Sequence, residues 1–451
     1  MNTPPPFALK GTIIHTPTID KFEYFSDAYL LCCNGKVAGI IEKLPEAFQG
    51  IQVLDHTGKL IIPGMCDMHQ HAPQYAFRGL GQNIEKPDWD SWFDLYAFPE
   101  EKRYQDLDYA EKAYSRLIQD LLKSTTTRLC TFATIHRPAT ELLMDLLAQS
   151  GLCAYVGKVN MDRNSAPGLL ETTDETLAET RLWLSRYVGK YPHVKPIITP
   201  RYTPSCTDAA MKGLAALMNE YQVPVQSHLS EGLDEMTWVH QLMPDIDFYA
   251  QAYDRFGMMG TTQPALMAHC VFSTSEECSM LCSRNVMIAH CPDANLNYSG
   301  TAAPVLNYIR MGAKVGLGSD VAGGHTLNLL RIISEAITAS KVHWAYRERT
   351  GLPGEKRDVL TLANAFYLAT KGGGAFWGNV GSFEPGYAFD AVVLDDSRIA
   401  DYQPRSPYER LERLVCLGDD RETVEKFVNG ICVYQKAAPP FDERSGCNGI
   451  D

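Results

Sequence analysis

The sequence has no C-x-x-C pair, no internal repeat and no low-complexity segment, and it lacks an excess of basic residues. Lys and Arg total 41 against 54 Asp and Glu, a formal charge of −13 over 451 residues. An acidic chain is repelled by phosphate backbones and anionic lipid surfaces, which argues against nucleic acid or membrane as the main partner. Its 13 cysteines are odd in number and scattered. A disulfide framework would be denser and shorter, so reduced thiols are expected. The opening MNTPPPFALKG lacks a basic region followed by an apolar run. Residues 256–275 are uncharged and long enough for a membrane span, but they contain Thr, Gln, Pro, His and Ser. The expectation is a soluble, cytoplasmic protein. Hydrophobic residues at 45% and charged residues at 21% exclude disordered, collagen-like and coiled-coil chains.

Two textures alternate along the chain. Phe7–Ile14, Ala28–Cys33, Lys36–Ile41 and Ile51–Asp55 are strand-like runs, and Asn34-Gly35 suits a tight hairpin with positive φ. The same texture returns in Ala388–Leu394 and Lys426–Tyr434, with a second Asn-Gly at 429–430. The two ends are therefore expected to build one small β domain, with a loose tail after Lys436. Between them, eight apolar runs of strand length alternate with helical stretches: Leu60–Met65, Thr126–Phe132, Cys153–Val159, Val194–Thr199, Val223–Ser227, Ala265–Ala268, Val286–Ala289 and Lys314–Leu317. Helical periodicity is clear in Leu107–Lys123, Asp174–Tyr187 and Asp208–Tyr221. Eight strand–helix units point to an α/β fold, a (β/α)₈ TIM barrel over residues 63–383. Residues 1–62 and 384–451 would form the small β-sandwich domain.

Polar and ionisable residues follow the strands: His69 and His71, His136, Asp162, Arg201, His228 with Glu231, His269, His290 and Asp320. In a barrel those strand ends share one face, where the active site sits. His69 and His71 are two apart, so on a strand both imidazoles leave the same face. With His228 and Asp320 they make a borderline N/O donor set that suits one Zn²⁺ and leaves a position for water. Fe²⁺ would accept the same ligands. No lysine ends the fourth strand, so nothing is placed to bridge two metals; Lys195 lies near its start. Cys270 and Cys291 each follow a His, and strand alternation turns them away as core fillers.

Pro63-Gly64-Met65-Cys66-Asp67-Met68-His69-Gln70-His71 resembles the first-strand motif of the amidohydrolase superfamily, whose members also wrap a β domain from both termini. More narrowly, His71-Ala72-Pro73-Gln74-Tyr75, Tyr96-Ala97-Phe98-Pro99-Glu100, Thr199-Pro200-Arg201-Tyr202, Ser227-His228-Leu229-Ser230-Glu231, Ala289-His290-Cys291-Pro292 and Gly318-Ser319-Asp320 resemble guanine deaminases. One departure is Pro292-Asp293-Ala294-Asn295, with Ala where a small hydroxyl residue is expected.

The resemblance implies hydrolytic deamination of a purine, and a homodimer. It puts His269 beside the attacking water. Asp320 would hold the metal and take the water proton, and Glu231, three residues after His228, would protonate the ring nitrogen and then the leaving amine. Arg201, held near the ring of Tyr202, suits the O6/N7 acceptor pair of guanine, and the Gln74 amide suits its mixed edge. Trp92, or Phe98, is a candidate for stacking on the purine. The substrate-contacting set is then His71, Gln74, Trp92, Arg201, Tyr202, His228, Glu231 and Asp320. His290 reads as a structural hydrogen-bonding histidine. His15, His56, His136, His193, His240, His325 and His343 receive no role. Two alternatives stand: an aminohydrolase or chlorohydrolase acting on another heteroaromatic ring, and a metal-free scaffold. Only Gln74, Arg201 and Tyr202 separate the first from a guanine enzyme, and bound metal separates the second.

Overall fold

A computed structural model describes residues 5–81, 89–284, 286–350 and 359–437. The expected loose tail after Lys436 lies almost wholly outside the described residues. Among the described residues, seventeen strands fall into two separate systems.

The first system joins the chain ends. From the N-terminal side come β1 (Phe7–Thr18), β2 (Lys21–Cys33), β3 (Lys36–Ile41) and β4 (Gln52–Pro63). They hydrogen-bond in one seven-stranded sheet with β15 (Ala391–Leu394), β16 (Thr423–Val428) and β17 (Ile431–Gln435), in the order β17-β16-β15-β4-β1-β2-β3. Both Asn-Gly turns form as expected: Asn34 and Gly35 take φ 54° and 72°, Asn429 and Gly430 49° and 77°. Consecutive positive φ matches the twist of the flanking strands, and Asn and Gly adopt it at least cost. Phe7, Leu9, Leu30, Ile61, Phe389, Ala391, Val393 and Phe427 fill the sheet's own core.

The second system is parallel. β5 (Met65–His71), β6 (Thr126–Phe132), β7 (Cys153–Gly157) and β9 (Val194–Pro196) form one four-stranded sheet. β11 (Val225–Leu229), β12 (Ala265–His269), β13 (Met287–His290) and β14 (Lys314–Leu317) form another. The short β8 (Val159–Asn160) and β10 (Thr199–Pro200) pair beside the first. Backbone contacts link the two sheets at both edges. Ile198 bridges Val225 and accepts from the Gln226 N–H at 2.9 Å. At the other edge the Asp320 N–H donates to His69 O at 2.8 Å, and the His71 N–H to Val321 O at 3.0 Å.

The first catalytic strand needs correction. Leu60–Pro63 belongs to the terminal sheet, and the parallel strand starts only at Met65. Gly64 divides them: its N–H donates to Asp390 O, and a Cβ there would lie 2.2 Å from the Thr127 hydroxyl, so only glycine lets the chain change sheets at this point. His69, His71, His228, His269 and His290 lie inside their strands: His69 two residues before the end, the others at or next to the C-terminal residue.

Helices cover the parallel strands where periodicity placed them. Leu107–Lys123 buries Ala110, Tyr114, Leu117, Ile118 and Leu121, one face at 3.6-residue spacing. Its free N–H groups end on Asp106, whose carboxylate accepts from Asp108 and Tyr109. Thr173–Tyr187 opens with a Thr172/Glu175 capping box, and Asp208–Tyr221 with Thr207.

Candidate metal and substrate site

The parallel strand ends collect ionisable side chains. His69 and His71 leave one face of β5, as their spacing requires. His71 Nε2 lies 3.1 Å from His228 Nε2 at the end of β11. Asp320, just past β14, brings Oδ1 to 3.1 Å from His69 Nε2 and 3.5 Å from His71 Nε2. His269, closing β12, has Nε2 3.9 Å from Asp320 Oδ2. Two overlapping groups have donor atoms close enough to share an ion: His69, His71 and His228, and His69, His269 and Asp320.

The surroundings fit a metal. Nε2 of His69 and Nε2 of His269 are buried without a hydrogen-bond partner among the described residues, although both face Asp320. Stranding two imidazole nitrogens costs free energy unless something else occupies their lone pairs. The outward nitrogens are held: His228 Nδ1 lies 2.5 Å from Arg201 O, and His269 Nδ1 2.9 Å from Asn295 Oδ1. Such outer partners fix the ring and leave Nε2 facing inward. Burial, reinforced by neighbouring imidazoles, pushes His71 and His228 well below the ordinary histidine range. Burial lowers His269 to about 4. Neutral imidazoles are the form that binds a cation.

Glu231 sits against this cluster, with Oε1 3.5 Å from His269 Nδ1. Burial, then the Asp320 carboxylate, raises its pKa well above the usual carboxyl range. Its backbone is pinned: Ser299 donates to its carbonyl at 2.7 Å, and its N–H donates to Glu235 at 3.1 Å. Burial pushes Glu235 itself up to about 7, and its other oxygen accepts from Tyr249 at 2.9 Å.

The structure also collects the groups expected to read a substrate, with corrections. Arg201 is buried, and its anchor is Glu101. Its Nη1 donates to both oxygens of Glu101, at 3.0 and 2.9 Å, and its guanidinium lies 5.2 Å from the Phe93 ring centre and 5.8 Å from that of Phe98. The Tyr202 ring lies 6.2 Å from Trp238. Gln74 donates from Nε2 to Glu101 Oε1 at 2.8 Å, and its Oε1 accepts from the Ala322 N–H at 3.4 Å. Part of the amide assigned to substrate is thus already engaged. Trp92 is buried among Phe77, Phe93 and Tyr298, all edge-on at 5.3–5.4 Å, and Phe98 stacks on Phe93.

His290 is buried, and its Nδ1 makes no hydrogen bond to a described residue. Cys270 and Cys291 do fill the core, though not by strand alternation: both follow a strand's last residue, and His269 and Cys270 take positive φ. Lys158 is the buried lysine of this region, and it pairs with Glu171 at 2.7 Å.

Sequence reasoning missed four supporting residues. Glu101 follows directly on the motif at 96–100. Glu235 lies one helical turn beyond Glu231. Asp67, in the same strand as His69 and His71, accepts from the Ser319 N–H and hydroxyl at 2.8 and 2.6 Å, fixing the residue before Asp320. Asn295 closes the segment where Ala294 departs from the expected pattern.

The sequence profile of the amidohydrolase family matches residues 60–433. Guanine deaminase of Dictyostelium discoideum is 33% identical over 93% of this chain and 96% of its own length, and that of Homo sapiens 35% identical over 94% and 96%. The solved guanine deaminase from C. acetobutylicum, with guanine bound in its active site, superposes with a TM-score of 0.90 at 43% identity, over 95% of this chain and all of that one. A triazine hydrolase from Arthobacter aurescens shares the fold, with a TM-score of 0.80 at 20% identity. A donor cluster at the strand ends, a profile match over most of the length and relatives aligned nearly end to end agree: the chain belongs to the amidohydrolase family, among its guanine deaminases.

Proposed function

We propose that this chain is a metal-dependent aminohydrolase that converts guanine and water to xanthine and ammonia. The observation that carries the reading is the meeting of two groups at one place. Two donor groups, His69/His71/His228 and His69/His269/Asp320, overlap at His69, and Arg201 and Gln74, tied together by Glu101, stand beside them. His69, His71, His228 and Asp320 would hold one divalent ion, with Zn²⁺ the first choice. When bound, the ion supplies the Lewis acidity that makes water nucleophilic at neutral pH.

The protein's own groups do the rest. Asp320 accepts the proton released as water adds to the aminated ring carbon. Glu231 donates a proton to the adjoining ring nitrogen; it then carries the proton of the added hydroxyl to the departing amine as the carbonyl forms, and the proton held on Asp320 restores it. His269, held through Nδ1, orients the water. Arg201 offers parallel donors to O6 and N7, and Gln74 meets the mixed edge. Trp92 and Phe98 line the ring's apolar faces, with Tyr202 at the rim.

The architecture that goes with this reading is a (β/α)₈ barrel over residues 63–383, its two four-stranded sheets joined at Ile198–Val225 and His69–Asp320. The termini, 1–62 and 384–451, form the small β domain, its sheet closing over its own core as a sandwich. A cytoplasmic homodimer completes it; among the described residues no helix is long and apolar enough to cross a membrane.

The test is a spectrophotometric panel of purines, pyrimidines and triazines with ammonia detection, alongside elemental analysis. Guanine turnover with one equivalent of zinc is expected. Turnover of another ring in place of guanine would overturn the substrate, and two equivalents of metal would overturn the mononuclear site.

A further inference from the structure

Glu101 is buried almost completely, in the short helix Phe98–Arg103, and belongs to neither group of metal-donor atoms. A buried carboxylate is costly unless donors surround it. Its donors are Arg201 Nη1, which reaches both oxygens, and Gln74 Nε2. The pattern is informative. An arginine paired fork-to-fork spends two nitrogens on its carboxylate. Here one nitrogen does all the pairing, and among the described residues Nε and Nη2 donate no hydrogen bond. The guanidinium is therefore anchored while one donor edge is kept for something else. Phe93 and Phe98 flank it, and an arginine held this way need not be ordered each time a ligand binds. The same carboxylate orients the Gln74 amide, whose oxygen turns to Ala322.

We infer that Glu101 is a positioning residue for purine recognition: one carboxylate sets the reach of Arg201 and the orientation of Gln74 together. The inference rests on the guanine-deaminase reading above and deepens it. Glu101 pairs with Arg201 and Gln74 and belongs to neither donor group, so its influence falls on substrate binding before it falls on chemistry. Interactions that act equally on ground and transition states move KM more than kcat.

The decisive measurement is a double-mutant cycle on the zinc-loaded enzyme, using Glu101→Gln, Arg201→Ala and the pair. Glu101→Gln keeps the shape and removes the charge. It is expected to raise KM for guanine on the order of 10- to 100-fold, with a smaller fall in kcat and unchanged zinc content. In the Arg201→Ala background most of that penalty should vanish, because the partner through which Glu101 acts is gone. A merely structural glutamate would lower the melting temperature and multiply its effect with Arg201→Ala; that result overturns the inference, as does a parental KM in Glu101→Gln. Should Glu101→Gln not be recovered folded, Glu101→Asp retains the charge one methylene short, and its KM must also rise; a parental KM there overturns the inference too. Parent enzyme that turns over another ring but not guanine overturns the substrate assignment alone, and the same cycle is then read on that ring.

Discussion

Glu231, partly exposed but with Oε1 buried, and Glu425, buried, are carboxylates that their surroundings drive in opposite directions. At the strand ends, burial and the Asp320 carboxylate push Glu231 up, and its Oε1 has no hydrogen-bond partner among the described residues. In the terminal sheet, the His56 imidazole, with Nε2 3.2 Å from Oε2, draws Glu425 below the usual carboxyl range, and Gln435 donates to its Oε1 at 2.7 Å. The seam between that sheet and the parallel strands follows the same rule. Arg128 gives Nε to Asp390 at 2.6 Å and Nη2 to Asn429 at 2.9 Å, while the Asn429 N–H donates to Asp390. Lys426, fully buried, donates to the carbonyls of Leu121 and Thr126. Buried polar groups that find complements hold a structure together. Buried polar groups gathered with their own kind, lone pairs converging, are sustained by the rest of the fold and mark the place where a ligand or reaction completes them.

Substitutions that respect this division should separate activity from stability. The largest effect is expected from Glu231→Gln, which keeps shape and removes proton transfer: kcat should fall about 10²- to 10⁴-fold with zinc and guanine still bound, as single-turnover kinetics and elemental analysis would show. Activity within a few fold of the parent would break the contrast on the catalytic side. At the seam, Arg128→Ala leaves Asp390 buried without its cation. Stability to denaturant should drop by about 3–5 kcal/mol, with guanine KM unchanged. A KM change of tenfold would mean that the two regions are not independent. Arg201→Ala should cost roughly 30- to 150-fold in kcat/KM, the loss of a charge-assisted contact, without loss of zinc. Zinc loss in parallel would put Arg201 in the metal site. The smallest effect belongs to Glu425→Gln. Because the folded-state pKa lies below 4.5, the pair stabilises the fold above that pH and loses its contribution as pH falls through and below it. The variant should therefore be about 0.5–1.5 kcal/mol less stable at pH 7, with the difference shrinking as pH falls into the acid range below 4.5, measured by denaturant titration at each pH.

The amino-acid sequence alone reveals whatever repeats or pairs within a few residues. The two-residue alternation put His69 and His71 on one face; the two Asn-Gly dipeptides marked turns that do take positive φ; helical periodicity located Leu107–Lys123 and Asp208–Tyr221 to the residue. Strand-end histidines announced the metal-ligand cluster because β-strand geometry carries position directly into side-chain direction. Other features depended on partners far along the chain. The end of the terminal sheet at Pro63 follows from pairing with Ala391–Leu394 and from Gly64 slipping past Thr127. Arg201 rests on Glu101, 100 residues away, while the ring of its neighbour Tyr202 meets Trp238. The backbone's preferences are local and are written locally, so elements and ligand pairs are legible in one dimension. Which buried charge finds which complement is settled by packing in three, where a carboxylate takes whatever donor the fold brings within about 3 Å.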